Sequence, residues 1–125
     1  VTQNGSYNHT TVDQGGFAQH LNLSQSGTSN HAQTVQSGTE NAIQAQQSGL
    51  GNYLSVNQSG YYNKASSTQV GVDNHADITQ SGIYNQASVN QYGVANQATV
   101  NQAGINGTVT VTQTGNNMSA TVKQR

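Results

Sequence analysis

The sequence predicts an all-β fold, a β-solenoid of cross-β type. It is built from 11-residue strand–turn units, with two strands per 22-residue coil and two facing parallel sheets. Three observations carry this expectation: an unbroken 11-residue repeat, alternation of patterned residues within each repeat, and a composition that cannot build an ordinary core.

The repeat is marked first by glutamine. Gln3 is followed at every eleventh position by Gln14, Gln25, Gln36, Gln47, Gln58, Gln69, Gln80, Gln91, Gln102, Gln113 and Gln124. Two residues after each of these but the last stands a glycine: Gly5, Gly16, Gly27, Gly38, Gly49, Gly60, Gly71, Gly82, Gly93, Gly104 and Gly115. Three residues further on comes Asn8, Asn30, Asn41, Asn52, Asn63, Asn74, Asn85 or Asn96, with Gln19, Gly107 and Met118 as the exceptions. The unit reads Q-x-G-x-x-N-x-A-x-V-x-Q and fills the chain, so residues 1–125 are expected to form a single domain.

Within the unit, the N, A, V and Q positions are two apart, which is the period of one face of a strand. The A column includes Leu21, Ile43, Leu54, Ala76 and Val109. The V column includes Val12, Leu23, Val56, Ile78, Val89 and Val111. An 11-residue period also suits a right-handed helical coiled coil. The glycine in every unit and the β-branched V column argue against a helix, as does the scarcity of charged flanks. A strand of about seven residues is therefore expected, for example Asn85–Gln91, followed by the turn Tyr92-Gly93-Val94-Ala95. The glycine serves a backbone conformation that a side chain would hinder.

Stacking coils sets each strand on the one 22 residues later. One sheet then starts its strands at Asn8, Asn30, Asn52, Asn74, Asn96 and Met118. The other starts at Gln19, Asn41, Asn63, Asn85 and Gly107. Eleven such strands make a rod roughly 25–30 Å long. The Asn and Gln amides, each both donor and acceptor, are expected to point inward and form ladders along the stack.

The composition fits. Apolar residues make up 31% against a usual ~45–50%, and charged residues 6% against ~25%. Gln and Asn together number 34, and the chain lacks Pro, Cys and Trp. Disorder would normally accompany high net charge, but the formal charge is −1. A neutral, proline-free, Gln/Asn-rich chain is a cross-β former. The only basic residues, Lys64, Lys123 and Arg125, form no patch for nucleic acid. No apolar stretch is long enough to insert in a membrane.

The repeat resembles that of the curlin family, the subunits of bacterial curli fibres, over residues 3–124. The resemblance implies a secreted, extracellular, self-assembling amyloid subunit of the cell surface, with roles in biofilm matrix and adhesion. It also implies partners: other copies head to tail, a curli nucleator and a secretion-pore protein. The uniformly Asn-led strands and the end Val122-Lys123-Gln124-Arg125 resemble the family's minor, nucleating subunit. The modest charge of the last repeats resembles the major one, and the assignment stays open. Val1-Thr2-Gln3 already matches the end of a strand, so the family's polar secretion segment is expected to lie outside these residues. The repeat runs to the last residues without a visible polar cap, which points to polymerisation. A soluble solenoid for adhesion or ice binding is the alternative. It is disfavoured by the mixed outward column His9, His31, Tyr53, His75, Gln97 and Ser119.

No catalytic constellation stands out: there is no nucleophile elbow, HExxH or P-loop. No cofactor is expected. His9, His31 and His75 share an outward column, and polar decoration of a solvent-facing strand explains them better than a metal site. Aromatic and apolar residues in or beside turns, among them Tyr7, Phe17, Tyr61, Tyr62, Tyr84 and Ile105, suit either lateral contact or local packing.

Overall fold

The computed structural model describes residues 1–125 as twelve strands and no helix. They are β1 (Thr2–Ser6), β2 (His9–Gln14), β3 (His20–Thr28), β4 (His31–Thr39), β5 (Ala42–Leu50), β6 (Tyr53–Tyr61), β7 (Lys64–Val72), β8 (His75–Ile83), β9 (Gln86–Val94), β10 (Gln97–Ile105), β11 (Thr108–Asn116) and β12 (Ser119–Gln124). One sheet runs β2-β4-β6-β8-β10-β12 and the other β1-β3-β5-β7-β9-β11. All pairing is parallel, and the partner of each residue lies 22 positions on, as in Val56↔Ile78 and Val89↔Val111. The chain is a β-solenoid of about six turns with two sheets, as the period predicts.

The strands differ from expectation in their bounds. The strand expected at Asn85–Gln91 is β9, Gln86–Val94. It begins one residue later and continues past the glycine. Gly93 remains in the ladder, paired with Gly115, at φ 126°. A side chain there would strike the Gly115 carbonyl oxygen of the next coil. The glycine thus serves close backbone approach as well as positive φ. The reversal shrinks to two residues, Ala95 and Asn96. The motif asparagine consequently stands at the corner and not on the strand.

The residue just before the motif asparagine position is left-handed in every unit. Glu40 lies at φ 53°, Tyr62 at 58°, Tyr84 at 58° and Ala95 at 54°, and only Gly51 uses glycine for the purpose. The turns are nonetheless stitched together. Of 92 backbone hydrogen bonds, 72 lie within strands, and the other 20 join one coil to the next through the turns, such as Tyr84 N–H to the Tyr61 carbonyl at 3.0 Å.

The space between the sheets is filled by 15 buried apolar side chains of the A and V columns. Small residues suffice because the sheets lie close. The V column is interrupted by Thr34, Ala45 and Ser67, all buried.

Candidate functional site

The chemistry of this molecule is concentrated in its buried amides. Gln25, Gln36, Gln47, Gln58, Gln69, Gln80, Gln91, Gln102 and Gln113 are buried, as are Asn30, Asn41, Asn52, Asn63, Asn74, Asn85 and Asn96. The terminal rungs are less covered: Gln14 is exposed, and Asn8 and Gln124 are half-buried. These three have a neighbouring rung of the chain on one side only.

Each motif glutamine from Gln25 to Gln91 makes two kinds of bond. Along the axis, Gln47 Nε2 donates to Gln69 Oε1 at 2.8 Å, and Gln58 Nε2 to Gln80 Oε1 at 2.7 Å. Across the core, Gln47 Nε2 donates to the His31 carbonyl at 3.0 Å and Gln80 Nε2 to the Lys64 carbonyl at 3.1 Å. The acceptor in each case is the first residue of a strand in the opposite sheet. The glutamine column therefore ties the two sheets together. Spacing alone gave no sign of this cross-core bond, because it depends on how far apart the sheets settle.

Each asparagine closes a corner. Asn52 Nδ2 reaches Asn30 Oδ1 at 3.0 Å, the carbonyl of Ser48 in the preceding strand at 3.1 Å and the Gly71 carbonyl of the next coil at 3.0 Å. Its Oδ1 accepts the Asn74 backbone N–H at 3.1 Å. Gln19 imitates this role, donating to the Gly38 carbonyl at 2.7 Å and accepting from Asn41 N–H at 3.2 Å. Gly107 and Met118 accept the arrangement from below, donating their N–H to Asn85 and Asn96 Oδ1, and carry no amide onward.

The two ladders point in opposite directions. Glutamine amides donate toward the residue 22 later, asparagine amides toward the residue 22 earlier. The backbone dictates both senses. A backbone N–H can only donate to Asn Oδ1, and a backbone carbonyl can only accept from Gln Nε2.

The outward column forms a rib. His9, His31, Tyr53 and His75 stack with ring centroids 5.0, 5.2 and 4.7 Å apart. His75 Nε2 lies 2.9 Å from Asp77 Oδ2 on an exposed surface, where such a pair contributes little. No three His, Cys, Asp or Glu side chains converge on one point. Tyr7, Phe17, Tyr61, Tyr62, Tyr84 and Ile105, in turns or at strand ends, are exposed along the edges of the rod.

A family model of the curlin associated repeat matches residues 49–82 and 85–115, just over half of the chain. The chain belongs to the curlin family. A search of curated proteins returns no match. The two matched segments span β6 to β8 and β9 to β11, together with the turns between them. In this curlin the matched segments contain the buried ladder amides from Asn52 to Gln113. Curlins are structural and not enzymatic, and membership points to a curli-type, self-assembling amyloid subunit.

Proposed function

We propose that this curlin is the structural subunit of an extracellular functional amyloid fibre, secreted and assembled on the cell surface as biofilm matrix and adhesive. Residues 1–125 act in it as one domain, with the Gln and Asn columns as its structural ladders and the repeat glycines as the points where the backbones of successive coils approach most closely. A nucleating subunit and a secretion pore are the partners that the family suggests.

The observation that carries the reading is the one-sided pairing of the outer strands. β1 and β2 pair with the chain on one side only, and so do β11 and β12. Each leaves a row of backbone donors and acceptors open to another strand. The partner is a second copy, added head to tail: its β1 lies on β11, and its β2 covers β12. Such a contact is heterologous and does not close, so it yields a filament. The glutamine ladder favours this sense: its last rung, Gln124, keeps an amide N–H to donate, and its first, Gln3, keeps an Oε1 to accept.

The test is incubation of purified monomer. Unbranched, thioflavin-positive fibres with a ~4.7–4.8 Å axial repeat are expected. A persistently monomeric, soluble rod would sink the proposal, as would fibres whose subunits meet tail to tail.

A further inference from the structure

Among the six tyrosines of this chain, Tyr62 and Tyr84 alone stack on one another. They occupy the same left-handed turn position in successive coils, at φ 58° in both cases. Their ring centroids are 4.9 Å apart and their planes within 14° of parallel. Both rings are exposed, by 42% and 55%, so small side-chain rotations can close the gap. The other tyrosines lack a phenol neighbour in register. Tyr53 lies between His31 and His75, Tyr61 pairs with Thr39 and Ile83, and Tyr92 pairs with Val70 and Thr114.

Beneath this pair stands a carboxylate. Tyr62 Oη donates to Glu40 Oε1 at 3.4 Å. The negative charge of Glu40, followed by partial desolvation and the neighbouring Tyr84, raises the Tyr62 phenol above its ordinary pKa. The phenol therefore stays protonated, with an acceptor already in place for the proton it must lose on oxidation.

We infer that Tyr62 and Tyr84 form an oxidative cross-linking site, coupled to dityrosine by a haem peroxidase using hydrogen peroxide. Each phenol gives one electron to the oxidant and loses its hydroxyl proton, Tyr62 to Glu40 and Tyr84 to solvent. The two tyrosyl radicals join through one ring carbon ortho to each oxygen. The hydrogens on those carbons then move to the oxygens as both rings regain aromaticity. The chain loses two hydrogens in all, and one hydrogen peroxide becomes two waters. The new bond staples successive coils and brackets β7 and β8, including the V-column defect at Ser67.

The test treats assembled protein with a haem peroxidase and hydrogen peroxide. Expected are dityrosine fluorescence, loss of two hydrogens from the chain mass, and a cross-linked peptide pair containing residues 62 and 84. Tyr62→Phe and Tyr84→Phe keep the stacked rings and should each abolish the intrachain link. Tyr61→Phe and Tyr92→Phe should retain it, and Glu40→Gln should slow its formation. Thioflavin-positive assembly of each variant verifies that the fold is intact. Undiminished intrachain dityrosine in Tyr84→Phe would overturn the assignment. So would wild-type protein that yields only links between chains, or none under conditions that couple free tyrosine. An unchanged rate in Glu40→Gln would remove Glu40 as proton acceptor.

Discussion

At the residue scale, the molecule buries polar groups where most proteins bury hydrocarbon, and each must be satisfied. Asn74 uses both ends of its amide: Nδ2 reaches Asn52 Oδ1 and the Gly93 carbonyl, and Oδ1 accepts Asn96 N–H. Asn74→Ala strands several of these partners at once, and each orphaned buried group costs about 1–3 kcal/mol. Gln80→Ala does the same to Gln58 and the Lys64 carbonyl. Thr79, exposed on the same strand, loses little as Thr79→Ala. Denaturation of the three variants should separate the first two from the third, and equal losses would refute load-carrying ladders. Two hydroxyls break the pattern: Thr34 Oγ1 and Ser67 Oγ are buried without a partner. Thr34→Val keeps the shape and removes the orphan, so it should stabilise the chain by about 1–2 kcal/mol, read as a higher unfolding midpoint. The 11-residue register places both Thr34 and Ser67 in the V column; that their hydroxyls go unpaired depends on the distance to neighbouring carbonyls, which no spacing encodes.

At the element scale, each unit spends its strain in the turn. Ala95 holds φ 54°, a region that costs an L-residue roughly 1–2 kcal/mol, partly offset by the greater chain entropy of glycine when unfolded. Ala95→Gly should therefore stabilise by about 0.5–1 kcal/mol. Gly93→Ala should do the reverse and more, because its new methyl meets the Gly115 carbonyl. Thermal unfolding of the pair checks both signs. The period of two and the 22-residue register were legible in the residues, because burial imposes them on side-chain type. The strand bounds were not: the glycine reads as a turn former, yet it sits inside the ladder. Nor were the left-handed turn residues, since Tyr62, Glu40 and Ala95 carry no signature of that conformation. Tertiary stacking holds them there through bonds such as Ala95 N–H to the Val72 carbonyl at 2.9 Å.

At the scale of the whole molecule, contacts join each coil mainly to its two neighbours, so stability is a sum along one axis. Strand β7, with Ser67 in place of a branched apolar residue, is the thin link of that sum. Strands β8 to β10, with Ile78, Val89 and Val100 buried, are the thick one. Hydrogen exchange should protect residues 85–91 more than 63–69. The same arrangement decides how the protein responds to tension. Every coil-to-coil bond lies along the axis, while the polypeptide winds around it. A pull on the two ends cannot load all coils together; it peels the outermost one and then the next. Each coil released feeds out 22 residues of slack, on the order of 75 Å of contour, for one rung of about 4.8 Å lost from the stack. Single-molecule extension should thus show a regular sawtooth rather than one rupture. A strand of such material yields by lengthening before it breaks.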